Sequence, residues 1–243
     1  MKETYARQYA ELYGRHWWWR SRERFLRAVL RTLPLDADLG PVLDVGCGDG
    51  LFFPVLRAWG TPEGVEADGT VVTAEGRARG RIHVGPFDET FRPDRRYPLI
   101  TALDVLEHAS DEGAFLRRAH DLLSDAGLLV LTVPAFPWLW THHDDINLHR
   151  TRYTRATLRT VARSAGLDVL RLHYFFGWTV PAKPLVRMKE ALLGAGADTV
   201  RTPPPLINRL LEGVSNLEHH AALRGVLPAG SSLLAVLRRS GTP

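Results

Sequence analysis

Apolar and polar positions follow two different patterns along the chain. Short runs of consecutive apolar residues, of which 127–133 is the clearest, are typical of strands that are buried on both faces of a parallel sheet. Between these runs, apolar residues recur at every third or fourth position, which is the spacing of an amphipathic helix. Because strands and helices take turns, the pattern predicts an α/β fold, a doubly wound Rossmann-like sheet with right-handed crossovers.

The predicted elements divide the chain into four parts. Strands are predicted at 41–45, 62–66, 81–84, 97–103, 127–133, 167–175 and 231–238, and helices at 3–33, 51–59, 69–79, 111–123 and 154–165. After residue 177 the alternation stops, and several prolines accompany two helical patches, 185–193 and 206–223. We therefore expect an N-terminal helical cap at 1–39, a core at 40–177, a helical insertion or lid at 178–228, and the final strand of the core at 229–243.

Composition narrows the class of protein. The single cysteine, Cys47, excludes an internal disulfide framework and fits a reducing compartment. No apolar run approaches the ~20 residues of a membrane-spanning helix, and the first residues lack the apolar core of a secretory signal, so the cytoplasm is the expected location. The formal charge is +4, but the arginines are scattered beside acids. We therefore expect no nucleic-acid partner.

A glycine loop follows the first predicted strand and marks a place where the backbone approaches a ligand. It reads Asp44-Val-Gly46-Cys-Gly48-Asp-Gly50. Leu51 occupies the place of the third glycine of the dinucleotide fingerprint, and Asp44 would repel a pyrophosphate but suits a cationic amino-acid ligand. The loop therefore favours S-adenosylmethionine (SAM) and disfavours an NAD-dependent oxidoreductase. Glu66, about 20 residues later at the end of the second strand, is placed to accept hydrogen bonds from a ribose.

Four segments in order resemble the motif series of class I SAM-dependent methyltransferases of the small-molecule, UbiE/UbiG-like type. They are VLDVGCGDG, GVEAD, LITALDVLEH and LLSDAGLLVLTVP, and the resemblance covers roughly residues 40–175. It implies a seven-stranded sheet whose last strand, 231–238, is antiparallel. It also implies that SAM is bound by residues of the glycine loop and of the strand ends beside it. These are Asp44, Gly46, Cys47, Gly48, Glu66 and Ala67, while the residues implied to line the methionine end of SAM are Asp104, Val105 and Leu106. The adenine contact stays open, with Asp88 as a candidate.

The segment after the fourth strand bears on substrate and metal. It lacks the Asn/Asp-Pro-Pro-Tyr sequence that resembles enzymes methylating nucleobase amino groups. Asp104, Glu107 and His108 could form part of a divalent-metal site, but a hard metal would want further oxygen ligands. The alternative is that Glu107 and His108 hold the following loop and helix in place. We assign no metal here and assign His108 to the acceptor.

The segment WLWTHHDDINLHRTRY, residues 138–153, follows the fifth strand at the edge where open α/β sheets bind ligands. It resembles a subgroup of methyltransferases with a His-Asp pair, a later histidine and a basic-basic-Tyr ending, although Thr151 replaces the first basic residue. The predicted general base is His143 or His149, with Asp144 orienting the imidazole. Acceptor contacts are predicted for Trp140, Arg152 and Tyr153. The alternative is a set of structural hydrogen bonds that closes the loop.

The N-terminal run His16-Trp17-Trp18-Trp19-Arg20-Ser21-Arg22 also resembles that subgroup. We predict that Trp19 and Arg22 close over the cofactor as a lid. A tryptophan belt that packs the N-terminal helix on the sheet is the alternative.

These observations predict a SAM-dependent methyltransferase that acts on an oxygen, and less readily on a nitrogen or carbon, of a small or lipid-like metabolite. A non-catalytic SAM-binding scaffold and an NAD-dependent oxidoreductase are the alternatives. The expected partner is a small-molecule acceptor. Apolar residues and arginines in the insertion leave peripheral membrane contact open, and the oligomeric state is left open too.

Overall fold

A computed structural model describes residues 3–182 and 201–241, and within them seven strands form one mixed sheet. The strands are β1 (Pro41–Val45), β2 (Thr61–Glu66), β3 (Arg81–Val84), β4 (Tyr97–Leu103), β5 (Leu123–Pro134), β6 (Leu167–Phe175) and β7 (Ser232–Arg239). Their order is β3-β2-β1-β4-β5-β7-β6, and β7 runs antiparallel to both of its neighbours. The predicted fold class is confirmed.

Eight α-helices lie within the described residues. They are α1 (Glu3–Arg15), α2 (Trp17–Arg31), α3 (Phe53–Leu56), α4 (Ala74–Arg79), α5 (Glu112–Leu122), α6 (His142–Ile146), α7 (Arg155–Ser164) and α8 (Pro205–Leu223). Three of the predicted helices are shorter or interrupted, and the one predicted at 69–79 is an α-helix only over α4. The segment 3–33 breaks at His16, whose extended backbone and side chain cap α2 by accepting from the Trp18 N–H. The segment 51–59 is helical only over α3, where Pro54 occupies the first turn.

Alternation of side chains along the central strands creates two cores, one on each face of the sheet. On β5, Leu129 and Leu131 face the core beneath α5 and α7, whereas Leu128 and Val130 face the core beneath α2 and α3. The same alternation continues on β7. Burial on both faces explains why these strands are almost continuously apolar.

The α8 helix has an inverted pattern of burial. Its buried positions are mostly polar and bond to the region around α2: Asn208 Oδ1 accepts from the Trp17 N–H at 2.9 Å, and Glu212 pairs with Arg20 and Arg24 at 3.2 and 2.9 Å. Three of its leucines, Leu206, Leu210 and Leu217, face outward instead, with Leu206 81% exposed. The helix predicted at 206–223 is therefore present, while the patch predicted at 185–193 lies outside the described residues. Within the described ranges, no helix is long and apolar enough to cross a membrane.

The strand order fixes where a ligand can bind. The chain leaves β1 toward β2 on one side, and later returns to β4 on the other side of β1. This reversal opens a crevice at the carboxyl ends of β1 and β4, which is where open α/β sheets bind ligands. The glycine loop and Asp104 both lie at this edge.

Candidate active site

The glycine loop passes close to the segment after β4 at one point and borders open space at another. A Cβ on Gly46 (φ +66°) would lie 2.5 Å from Val105 Cγ2, so the close approach of these two segments requires glycine there. At Gly48 (φ +53°) a Cβ would meet no protein atom within 4 Å. The backbone at Gly48 is therefore open to a ligand.

Asp44, at the end of β1, is a buried carboxylate beneath the loop. It is 3% exposed, and its Oδ1 accepts a hydrogen bond from Thr101 Oγ1 at 2.6 Å. Burial raises the pKa of Asp44 to about 7, although the Thr101 hydrogen bond acts in the opposite direction. A cation placed nearby would favour the ionised carboxylate.

Glu66, at the end of β2, links the two sides of the loop. Its Oε2 accepts from the Gly48 N–H and its Oε1 from the Asp68 N–H, both at 2.9 Å. Each carboxylate oxygen can accept a second hydrogen bond, so both have capacity left for ribose hydroxyls. Ala67 is exposed beside it.

Two predicted cofactor residues turn their side chains inward. A Cβ on Gly64 would lie 2.3 Å from Cys47 Sγ, so the thiol packs on β2, and burial raises its pKa. Leu106 is fully buried in the core beneath α5. The cofactor contacts predicted for these two residues would therefore come from their backbone groups.

Asp104, just past β4, is held by a buried arginine from α2. Arg22 pairs with Asp104 Oδ2 at 2.7 Å and donates to Thr132 Oγ1 at 3.0 Å, and that hydroxyl donates to Asp104 Oδ1 at 2.9 Å. The Asp104 backbone is left-handed (φ +60°), which is costly for a residue other than glycine and is frequent at functional sites. Arg22 is buried, so it is part of the floor of this edge rather than an exposed lid.

The tryptophans of α2 form an aromatic cluster. The Trp19 ring packs edge-on against His16 and Tyr9, with centroids 5.0 and 5.5 Å apart, and Trp18 stacks on Phe176. Trp19 therefore packs among residues of the two N-terminal helices, and its role as a lid stays a prediction. Trp18 also lies 5.4 Å from the Arg22 guanidinium and helps to fix it.

Asp144 is the centre of the loop that follows β5. Its carboxylate is fully buried and accepts from Arg152 Nε at 2.8 Å, from a terminal guanidinium nitrogen of Arg152 at 2.9 Å and from the Thr141 N–H at 2.8 Å. His149 Nδ1 lies 2.8 Å from Asp144 Oδ1. Burial alone would raise the pKa of Asp144, but the hydrogen bonds from His149 and Arg152 hold it well below its usual range.

This geometry changes several predicted roles. Arg152 is buried and also donates to the Ala135 carbonyl at 2.9 Å, so it anchors the loop instead of contacting an acceptor. Tyr153 is buried in the core beneath α7, which leaves it no surface for an acceptor. Trp140 donates its indole N–H to Asp145 at 2.9 Å. Of the two predicted bases, His143 lies on the exposed side of α6, and His149 lies within hydrogen-bond distance of Asp144.

Glu107, His108 and His149 form what we call the polar cluster. Glu107 Oε1 is 4.0 Å from His149 Nε2, and the rings of His108 and His149 are 5.0 Å apart. Among the described residues, neither carboxylate oxygen of Glu107 has a hydrogen-bond partner, and burial raises its pKa well above the usual range, as does the nearby charge of Asp104. The sequence grouped Asp104 with Glu107 and His108, whereas the structure pairs Asp104 with Arg22 and brings His149 to the cluster.

Sequence reasoning missed Thr101 and Thr132. Both are fully buried polar residues inside apolar strands, and each bonds to an aspartate at the ligand edge. Threonine is common in strands, so a threonine among β-branched and leucine residues is not recognisable from the pattern as a partner of a site aspartate.

Comparison with known proteins identifies the family. A family profile described as "Methyltransferase domain" matches residues 17–172, well over half of the chain. The chain belongs to this methyltransferase family. Its curated relatives include a ubiquinone biosynthesis O-methyltransferase of Azorhizobium caulinodans, 34% identical over 98 residues that cover 37% of this methyltransferase and 39% of the relative. The match thus spans about two fifths of that relative's length.

Solved structures show the same fold at low identity. The partner of the Trm112 methyltransferase activator of Haloferax volcanii matches with a TM-score of 0.63 at 18% identity, covering 98% of this chain and 97% of that one. Phosphoethanolamine N-methyltransferase 2 of Haemonchus contortus, in complex with SAM, matches with a TM-score of 0.59 at 13% identity, covering 89% of this chain and 52% of that one.

The methyltransferase uses SAM as its cofactor, and the residues present fit that molecule. The open backbone at Gly48 leaves room for a ligand, Glu66 retains hydrogen-bonding capacity, and the buried Asp44 suits a cationic ligand. The predicted cofactor and enzyme class are therefore confirmed. The family match favours a methyltransferase over the NAD-dependent oxidoreductase that the sequence left as an alternative.

Asp44 should make SAM binding depend on pH. Because its pKa in the ligand-free protein is raised to about 7, its contribution to folding stability is lost as pH rises from about 4 to 7. SAM is cationic and favours the ionised form, so its affinity should rise roughly tenfold between about pH 6 and pH 8. Calorimetric titration should show this rise in the wild type and not in Asp44→Asn. Parallel pH curves for the two proteins would refute the linkage.

Proposed function

We propose that this methyltransferase transfers the SAM methyl group to a hydroxyl oxygen of a small or lipid-like metabolite, with nitrogen and carbon acceptors less favoured. The observation that carries the proposal is the polar cluster, which follows β4 next to Asp104. SAM supplies an activated methyl group, so the protein has to align the acceptor and help remove its proton. A hydroxyl is protonated at neutral pH and therefore needs a neighbouring group that helps to remove its proton.

The residues at the sheet edge suit different parts of SAM. We assign the loop from Gly46 to Gly48 to the methionine and ribose backbone contacts, and Glu66 to the ribose hydroxyls. At the methionine end, Asp104 offers a carboxylate to the ammonium group, and Arg22 offers positive charge to the carboxylate. The Arg22 Nε has no partner among the described residues, so it retains a donor for this purpose.

Proton removal is assigned to the polar cluster through His149. If Nδ1–H donates to Asp144, the tautomer is fixed and Nε2 is left as the group that faces Glu107. His143 lies on the exposed side of α6. The similarity to a ubiquinone biosynthesis O-methyltransferase supports oxygen as the target atom.

The surroundings of the cluster support an acceptor with an apolar part. In the loop after β5, Leu148 is 77% exposed, and Ile146 and Trp138 are also exposed. Leu148 immediately precedes His149 in the chain. Exposed apolar side chains beside a polar cluster are typical of a site that binds an amphipathic small molecule.

The labelled-methyl experiment tests this function. Purified protein is incubated with methyl-labelled SAM and a small-molecule and lipid extract of its source cells, and mass spectrometry locates the label. We expect label on an oxygen, and a single-turnover rate that falls about 10²–10⁴-fold in His149→Ala but stays near wild type in His143→Ala. Unfolding curves for both variants control for folding. If both variants transfer methyl at the normal rate, proton removal by His149 is wrong.

We further propose that the exposed face of α8 contacts an anionic membrane surface, where a lipid-like acceptor would be found. Leu206, Leu210 and Leu217 lie on this face, and Leu217 is 80% exposed. Arg209 lies exposed at its border, whereas Glu212 is turned inward to Arg20 and Arg24. An apolar stripe with a basic border and no exposed acid is complementary to anionic lipid.

Vesicle co-sedimentation tests the α8 surface. The wild type should bind phosphatidylglycerol vesicles, and Leu206→Glu/Leu210→Glu should bind at least tenfold more weakly, since each buried leucine contributes about 1.5–3 kcal/mol. Leu170→Glu, at an exposed leucine on β6, is the matched control and should bind normally. Absence of wild-type binding, or a dimer in light scattering that the double variant disrupts, would overturn the membrane assignment.

A further inference from the structure

The three side chains of the polar cluster come from two separate segments. Glu107 and His108 lie on the short 3-10 turn Leu106–His108 after β4, and His149 lies in the loop after α6. The Arg150 N–H donates to the Glu107 carbonyl at 2.8 Å and holds the two segments together. One donor atom from each of the three side chains lies within 4.8 Å of the others.

Glu107 is the unusual member of the cluster. Its carboxylate is 1% exposed, and neither oxygen has a hydrogen-bond partner among the described residues. Buried carboxylates are nearly always paired, hydrogen-bonded or bound to a metal. Asp104, the nearby aspartate, forms an ion pair with Arg22 at 2.7 Å and is therefore not available to bind the same ion as Glu107.

His149 is oriented as a metal-ligating histidine usually is. Such histidines donate the second ring N–H to a carboxylate, which fixes the tautomer and leaves the other nitrogen for the ion. Here Nδ1 contacts Asp144 at 2.8 Å, and Nε2 faces Glu107 at 4.0 Å. That separation is too long for a direct hydrogen bond and leaves room for an atom between the two groups.

We propose that Glu107, His108 and His149 bind a divalent first-row transition-metal ion, such as Zn²⁺, with at least one coordination position left for the acceptor. Two imidazoles and one carboxylate suit such ions, whereas Mg²⁺ and Ca²⁺ prefer oxygen ligands. Metal–ligand distances of ~2.0–2.2 Å require only a small inward movement of the three side chains. Asp144 is then a positioning residue that acts through His149.

The chemical role of the ion rests on the proposed function. A bound cation lowers the pKa of an acceptor hydroxyl at this position. The hydroxyl proton leaves to solvent, an oxygen lone pair forms the bond to the methyl carbon, and the electrons of the carbon–sulfur bond return to sulfur. In this arrangement His149 promotes proton removal as a ligand of the ion, and the fall in rate expected for His149→Ala is unchanged.

Metal binding is measured directly, without an acceptor. Protein treated with a chelator and then desalted is titrated with Zn²⁺ by calorimetry and with Co²⁺ by visible absorption. We expect one equivalent to bind, and a rise in Tm of roughly 5–10 °C at 100 times the Kd. Glu107→Gln and His108→Ala should each weaken binding at least 100-fold, and Asp144→Asn about 10–100-fold. His142→Ala, in the same loop, is the matched control and should bind normally.

Far-UV circular dichroism and unfolding curves separate loss of the site from loss of the fold, and His108 is exposed enough for His108→Ala to fold normally. Failure of the wild type to bind Zn²⁺ or Co²⁺, or equal binding by His108→Ala, would overturn the metal site. SAM titration of the same samples distinguishes the two proposals. If chelator-treated protein binds SAM and transfers methyl normally, the proposed function is supported and the role of the metal ion is wrong.

Discussion

The buried carboxylate of Asp144 forms the interaction on which the loop after β5, the proposed acceptor side of this methyltransferase, depends. A charge in the interior is stable only when opposite charge and hydrogen bonds surround it. Arg152 supplies two donors, and His149 and the Thr141 backbone supply the others. Because Arg152 also bonds to the Ala135 carbonyl, the two ends of the loop are joined, and His149 is carried to the polar cluster.

A second buried pair does the same on the cofactor side. Arg22 comes from α2 and joins Asp104 after β4 to Thr132 on β5. The α2 helix therefore contributes a buried arginine to the ligand edge of the sheet. Arg22 pairs with Asp104 and Arg152 with Asp144, whereas within the described part of the chain no arginine or lysine forms an ion pair with Asp44 or Glu107. This surplus of acidic groups suits a cationic cofactor and a divalent ion.

The sequence predicted features that depend on periodicity and failed on those that depend on burial. Alternating runs located all seven strands, and the glycine loop indicated the cofactor, because both rest on backbone geometry that a few residue types permit. Arg152 and Tyr153 were assigned to the acceptor because they stand near the right edge. Spacing along the chain says nothing about whether a side chain turns inward, and both are buried.

The α8 helix is a second case in which the sequence pattern predicted an element but not which of its side chains are buried. Its apolar spacing predicted the helix, but amphipathic helices usually bury the apolar face. Here polar contacts with α2 determine which face of α8 is buried. Glu212 forms ion pairs with Arg20 and Arg24, and Asn208 accepts a hydrogen bond from the Trp17 N–H. Such a preference depends on contacts between residues nearly 190 positions apart, which no local pattern contains.

The most direct test of this account is the unfolding free energy of Arg152→Met, Asp144→Asn and the double variant in urea. If Asp144 is a buried charge held by Arg152, Arg152→Met should lose about 3–5 kcal/mol, and the double variant should recover part of that loss. Arg150→Met, at an exposed arginine of the same loop, should change stability by no more than about 0.5 kcal/mol. An Arg152→Met protein as stable as the wild type but deficient in methyl transfer would contradict the account and return Arg152 to the acceptor.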